Sequence, residues 1–285
     1  MEKNSIFRNI CYPGDLGSFL HDPGRRLVGF HIVVDGRLIS RGEFYSKLVE
    51  KLAEWGAGWG GGSLRFLKVY QPYGSSDFVV IFFLDITGLD VSPESLYESL
   101  KNVPIFKKVE LIRPVIDGLI IDTYSFPQFL AGDRAVVFRR ANYEAWIRKM
   151  REKYGDTLNA ILYHIGFEAG QNAYKHLSRK YDTSDRDILE LASEFAKVLG
   201  YGVFDVERLS SSEAIVKVYG SFECELFGNS GKPEGHLVRG MIAGSVAAIW
   251  NVEMDEVEAR ETRCIAKGDP YCEFHIRKKG GIFHI

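Results

Sequence analysis

Near its C-terminus the chain reads ETRCIAKGDPYCEF, which spaces one acid and two cysteines as Glu261-x-x-Cys264-x7-Cys272. A carboxylate and two thiols this close suit either metal binding or the packing of a tight turn. Three states of the cysteine pair follow from residue type alone. They are small buried residues on adjacent strands, since free cysteine behaves as a weak hydrophobe, or they are metal ligands, or they form a disulfide, which the spacing permits. The intervening KGDP is a turn signal that brings the two cysteines together. Cys11 and Cys224 complete the set of four. That number is too small for a disulfide-stapled scaffold in 285 residues, so a reducing interior is the expected setting.

Other reactive side chains give weaker patterns. His164 and His176 are twelve residues apart with no third partner in sequence, which favours surface or packing roles over catalysis. Glu168 lies between Gly166 and Gly170, either as a polar anchor inside a cavity or as an exposed carboxylate. Tyr163, Phe167, Tyr174, Phe195, Phe204, Tyr219 and Phe222 read first as core. Tyr163, Phe167, Tyr174 and Phe222 are the subset taken as candidates to line an apolar pocket. Arg139, Arg140, Arg148, Lys149, Arg151 and Lys153 form a basic stretch, read as the wet face of a helix.

Bulk properties exclude several classes. Lys+Arg (36) and Asp+Glu (38) nearly cancel to a net charge of -2, without the basic field of a nucleic-acid binder. Apolar runs such as Phe78–Leu84 fall short of the ~20 residues of a spanning helix, and Met1–His21 lacks a signal-peptide core. A soluble cytoplasmic protein without membrane contact is expected. With 46% hydrophobic residues over this length, the chain can bury two cores, which suggests two domains.

The elements that position the reactive residues can be read along the chain. Leu27–Val34 is a strand. A helix capped by Ser40 with Glu43 follows, carrying Phe44, Leu48, Leu52 and Trp55 until the glycine run Gly56–Gly62 stops it. Leu64–Tyr70 and Asp77–Asp85 are strands about the turn QPYGSS, and Ser92-Pro93 opens a helix with Leu96 and Leu100 before the strand Val109–Arg113. This β-α-β-β-α-β order is the split βαβ pattern of a ferredoxin-like sandwich. It is similar to ACT and related regulatory domains, and it is assigned to residues 1–113.

The second domain, residues 114–285, is expected to open with a hairpin of Val115–Thr123 and Ala135–Phe138 around AGDR. Helices Tyr143–Tyr154 and Asp156–Tyr181 follow, the latter with Leu158, Ile161, Leu162, Ile165 and Phe167 on its apolar face. Ser184–Gly200 is a third helix, with Ile188, Leu191, Phe195 and Val198 at three- and four-residue intervals. Strands Val203–Ser210 and Ala214–Tyr219 lead into an extended Ser221–Phe227. The helix Glu234–Trp250 is rich in small residues, including Gly240, Ala243, Gly244, Ala247 and Ala248. Strands Val257–Ile265 and Tyr271–Arg277 close the chain. The glycines at 166, 170, 240 and 244 predict close helix packing.

Three segments, GFEAG at Gly166–Gly170, HLVRGMIAG at His236–Gly244 and the final ETRCIAKGDPYCEF, together resemble the vinyl-4-reductase family over about Val115 to Arg277. That family is related in fold to TRAPP tethering subunits and to the aromatic-sensing input domains of bacterial activators. The resemblance implies an α+β protein with a mixed helix and antiparallel-sheet domain. It also implies a homodimer, and a pocket for a hydrophobic small molecule. In the aromatic sensors a zinc ion is held by a cysteine, a glutamate and two further cysteines, and the last three match Glu261, Cys264 and Cys272. Two thiolates and a carboxylate are suitable tetrahedral zinc donors. The first cysteine of those sensors falls here near Gly235, where none is present. Cys224 or His236 is therefore the expected fourth ligand. The implied function is a small-molecule sensor that signals through dimer or domain rearrangement, with a protein partner carrying any effect on transcription. The alternatives are a TRAPP-like dimeric scaffold, or a reductase fed by an external electron donor, although the sequence has no dinucleotide fingerprint and no haem or iron–sulfur ligand set.

Overall fold

The run DFVVIFFLD has apolar residues at nearly every position, the pattern of a strand covered on both faces. In the computed structural model, which describes residues 16–40, 42–56 and 62–280, it is β4 (Asp77–Asp85) and lies inside a sheet. The chain divides into two compact units, Met1–Val136 and Val137–Ile285.

In the first unit β1 (Phe19–His21) and β2 (Leu27–Asp35) precede the short helix α1 (Gly36–Ser40) and α2 (Glu43–Glu54). Then come β3 (Ser63–Tyr70), β4, α3 (Pro93–Lys101), β5 (Phe106–Ile112), β6 (Leu119–Ile121), β7 (Gln128–Leu130) and β8 (Asp133–Ala135). The β-α-β-β-α-β order expected from sequence is present. The sheet order is β3-β4-β2-β5, with every pair antiparallel. Val80, Phe82 and Leu84 pack with Phe44 and Leu48 of α2 and Leu96 and Leu100 of α3. Val79, Ile81 and Phe83 face the other way, toward Ile120 and Leu20. A Cβ on Gly29 would press to 2.6 Å from the Phe83 ring and 2.9 Å from Ile120 Cδ1, so glycine lets β6 lie close over the sheet.

Several expectations shift here. The N-cap of α2 is Gly42, a left-handed residue (φ 76°) with no side-chain cap, where Ser40 was expected; Ser40 instead ends α1. The cap of α3 is as expected: Ser92 Oγ accepts from Ser95 N–H at 3.0 Å and Ser95 Oγ from Ser92 N–H at 3.2 Å. The boundary expected at 113/114 differs from the division after Val136, since β6 pairs with β1 rather than opening a hairpin with 135–138. The AGDR turn joins only the three-residue strands β7 and β8. Cys11 and most of the glycine run 56–62 lie outside the described residues.

The second unit begins with α4 (Arg140–Glu144), a π-helical turn (Ala145–Lys149) and α5 (Met150–Tyr154), and Gly155 (φ 55°) breaks the helix before α6 (Asp156–Lys180). Next are α7 (Asp185–Val198), capped by Ser184, and β9 (Val203–Leu209), β10 (Glu213–Tyr219), a 3-10 turn (Cys224–Phe227) and α8 (His236–Trp250). β11 (Val257–Arg263) and β12 (Cys272–Lys278) complete an antiparallel sheet of order β11-β12-β10-β9. Inward residues Ala214, Val216, Val218, Phe274 and Ile276 form one core with Val238, Ile242, Ala243 and Val246 of α8.

The expected glycine packing is present. A Cβ at Gly166 or Gly170 would strike the carbonyl of Leu237 or Met241, and one at Gly240 or Gly244 the carbonyl of Tyr163 or Phe167. Helices α6 and α8 therefore touch backbone to backbone. That contact rotates α6 so that Leu162 and Phe167 are buried while Ile161 and Ile165 of the expected apolar face are 47% and 54% exposed. A similar rotation in α7 buries Ile188, Leu189, Ser193 and Ala196 and leaves Val198 exposed.

Candidate metal centre

Period-two alternation places Val257, Ala259 and Glu261 on the inward side of β11, and Cys272, Phe274 and Ile276 on the inward side of β12. Glu261 is thus a carboxylate on a core-facing position. The β11–β12 register shifts between Glu261 and Arg263, and the chain then leaves the strand through Cys264 into a 3-10 turn at Ile265–Lys267. Gly268 (φ 98°) reverses it. Asp269 clamps this turn: its Oδ2 accepts from Cys264 N–H at 2.8 Å, and its own N–H donates to Cys264 O at 3.2 Å.

Cys224 arrives from another direction. Its segment was expected to be extended, but Ser221 Oγ accepts from Cys224 N–H at 3.4 Å and Ser221 O from Glu225 N–H at 3.0 Å, closing a helical turn. The donor atoms of Cys224, Glu261, Cys264 and Cys272 all lie within 4.8 Å of one another. Cys224 Sγ is 3.6 Å from Glu261 Oε1, and the Cys264 and Cys272 sulfurs are 4.0 Å apart. These three cysteines are buried free thiols, so the disulfide alternative is not adopted. A tetrahedron with zinc–sulfur arms of about 2.3 Å has edges of about 3.8 Å. Three thiols and a carboxylate at this spacing therefore fit a zinc ion, and soft sulfur donors favour that metal over calcium or magnesium.

The electrostatics show the strain of four acidic groups sharing one dry site. Burial first, and then the neighbouring Cys264 sulfur, pushes the Glu261 carboxyl up to about 8. Hydrogen bonds from Cys224 and then Cys272 hold the Cys264 thiol far below its ordinary value, while Cys224 is pushed far up by sharing its proton with Cys264. The protons for which these groups compete are the ones that a divalent cation would displace.

His236 is not in the cluster. Its backbone N–H donates to Glu223 Oε1 at 3.1 Å and its ring Nδ1 lies 3.4 Å from Arg239 Nη2. Burial, then Arg151 and Arg239, lowers its pKa to about 4. Of the two candidates for fourth ligand, the fold brings in Cys224.

The four pocket candidates do not share one environment. Phe167 is buried in the core, with Tyr163 and Phe222 packed against that core. Arg239 lies over the Tyr163 ring at 5.0 Å, and Phe222 meets Tyr143 and Tyr201. Tyr174 instead donates from its hydroxyl to Asp185 at 2.5 Å. Glu168 and His164 are exposed.

A buried polar cluster beside the thiols escaped the sequence reading. Arg151, taken as part of a wet basic face, is only 7% exposed, because α5 turns it inward over the Phe227 ring at 4.3 Å. It donates to Glu223 Oε1 at 2.8 Å, Glu234 Oε2 at 2.7 Å and Glu234 O at 3.1 Å. The signal available was the pair of acids, Glu223 and Glu225, flanking Cys224 among the apolar Phe222, Leu226 and Phe227.

Among known proteins, a family model for the vinyl-4-reductase domain matches residues 214–278. The uncharacterized protein MJ0150 of Methanocaldococcus jannaschii is 31% identical over 129 residues, 45% of this chain and 70% of that protein. A second uncharacterized protein of that organism, MJ1642, is 22% identical over 128 residues, 45% of this chain and 70% of its own length. Among solved structures, the phenol-responsive sensory domain of the transcription activator PoxR, with phenol, aligns at TM-score 0.48 and 17% identity, covering 53% of this chain and 79% of that one. A vinyl-4-reductase family protein from Methanocaldococcus jannaschii aligns at TM-score 0.37 and 16% identity, covering 50% and 83%. Among the described residues no helix is long and apolar enough to cross a membrane.

Proposed function

We propose, from the premise that this chain belongs to the vinyl-4-reductase domain family, that its second unit is a small-molecule-sensing module built around a zinc centre of Cys224, Glu261, Cys264 and Cys272. The observation that carries this reading is the convergence of four donor atoms, from three separate segments, at tetrahedral spacing. Four protein donors complete the coordination of zinc, as in sites that organise structure, whereas catalytic sites keep a position for water or substrate. Bound zinc would supply positive charge to the dry site. Gly235 N–H holds Glu261 Oε2 at 2.9 Å and so orients the carboxylate from behind.

The module's activity on this reading is binding. An apolar or aromatic molecule is the proposed ligand, taken up beside Tyr163, Phe167 and Phe222 where α6 and α8 meet the core. Because these helices touch through their backbones, a ligand that prefers one arrangement moves both together, and the population shifts only by its difference in affinity between states. The output surface proposed is a homodimer contact on α6, where Ile161, Ile165, Ala169 and Ala173 leave one apolar residue per turn exposed.

Native mass spectrometry with metal analysis of the same purified sample tests the reading. One zinc per chain in a dimer, with a bound apolar molecule or a dimer geometry that responds to one, is expected. A protein that takes up neither zinc nor cobalt into thiolate coordination removes the centre. Loss of the sensory part follows if saturating apolar ligands change neither stability nor quaternary state.

A further inference from the structure

The start of α8 is held in an unusual way. Glu223 is completely buried, and its Oε1 accepts the N–H groups of His236 and Leu237, each at 3.1 Å, while Oε2 accepts that of Val238 at 2.9 Å. One carboxylate thus satisfies the first turn of the helix and faces its positive end. Arg151 neutralises it from the other side at 2.8 Å, and the same guanidinium grips Glu234 by both side chain and carbonyl. The residue between Glu234 and His236 is Gly235, the one that donates to Glu261. A Cβ on Gly235 would lie 3.1 Å from Glu261 Oε1 and 3.2 Å from Cys224 Sγ, so this backbone forms a wall of the cluster.

From this arrangement we infer that Glu223 is a positioning residue of the metal centre: with Arg151 it fixes Gly235, and through it Glu261, while its own backbone delivers Cys224. The inference rests on the zinc reading above and extends it to a residue that touches no metal. Glu223 acts on two sides of the cluster at once. Backbone continuity sets where Cys224 enters, and the capped turn sets where Gly235 meets the carboxylate. A plain helix cap would contribute stability and leave the donor geometry unchanged. A positioning residue changes the donor geometry itself.

The test uses the full chain and the variants Glu223→Gln and Glu223→Ala, with Ser184→Ala as the comparison. Ser184 caps α7 through Asp187 N–H and takes no part in the cluster. Zinc affinity is measured by competition with a chromophoric chelator, and donor geometry from the visible bands of the cobalt-substituted protein. Outer-shell partners commonly change metal affinity about 10–100-fold. Glu223→Ala is expected at the upper end, with weakened or shifted cobalt bands, and Glu223→Gln at the lower end. Ser184→Ala is expected to lose stability but keep the wild-type affinity and spectrum. If Glu223→Ala does not fold, the same two readings on Glu223→Gln decide. Wild-type affinity and cobalt spectrum in a folded Glu223 variant overturn this inference and leave the zinc reading standing. A wild-type protein that binds neither metal overturns both.

Discussion

Each unit closes a four-stranded antiparallel sheet with helices, yet the material beneath the two sheets differs. Under the first lie Phe30, Phe44, Phe82, Leu84, Leu96 and Leu100, all with essentially no exposure. Under the second, apolar residues share the space with three thiols, Glu223, Glu234 and Arg151. A hydrophobic core is non-directional and gains from every square ångström removed from water. Buried charges gain only when every partner is present, and removing one costs several kcal/mol. The first unit is therefore held by area, and the start of α8 and the β11–β12 end of the second by a specific set of bonds. A region of the second kind fails when one partner is removed, whereas an apolar core loses only the area of the group deleted.

Metal removal should separate the two most strongly. Because metal-binding free energy becomes folding free energy, chelation or Cys272→Ser is expected to destabilise the second unit by several kcal/mol, on the order of a lost buried partner. Hydrogen-exchange mass spectrometry should show lost protection in β11, β12 and α8 and unchanged protection in β2 and β4. Unaltered exchange around β12 in Cys272→Ser would mean that apolar packing alone sustains both units. The converse variant is Phe82→Ala, which empties a ring from the first core at a cost of about 3–5 kcal/mol. Its exchange signature should be confined to the first unit, with zinc content unchanged. Smaller still is Gly240→Ala. The added methyl group meets the Tyr163 carbonyl and forces α6 and α8 apart, an overpacking cost of about 1–3 kcal/mol. A stability equal to wild type would show that the helix pair is less tightly seated than its backbone contacts imply.

The difference between the units also explains what could be read from sequence. DFVVIFFLD and the Ser92-Pro93 cap announce themselves because strand burial and helix capping are local and periodic. The Ile161 and Ile165 face was misplaced because glycine contacts, not apolar periodicity, set the rotation of α6. Cys264 and Cys272 are eight residues apart around one turn, so their meeting was legible. Cys224 comes 37 residues before Glu261, and only the fold places it, rather than His236, beside the other three donor atoms. Arg151 was the hardest: in sequence it is one of six cations, and its burial depends on Glu223 and Glu234, 72 and 83 residues away. Directional, long-range bonds leave little periodic trace, and they are the ones that build the centre.

His236 offers the finest division between area and directional bonding, because it sits at the junction of the two. Its imidazole is held neutral by burial, against an ordinary pKa of 6.5, and protonates only near 4. Arg151 and Arg239 oppose the proton, and Asp156 favours it. A histidine with a depressed folded pKa contributes stability that is present above about 6.5 and is lost as the pH falls through about 4, since the unfolded chain takes up its proton first. The metal-free second unit should therefore weaken across that window. His236→Gln keeps the backbone N–H that Glu223 accepts and removes the titration, so its denaturation midpoint should fall less steeply over the same window. Comparing the two metal-free proteins cancels the contributions of the thiols and Glu261, which are common to both. Parallel slopes would mean that burial does not hold the ring neutral, leaving the backbone N–H donated to Glu223 as what His236 contributes to the start of α8.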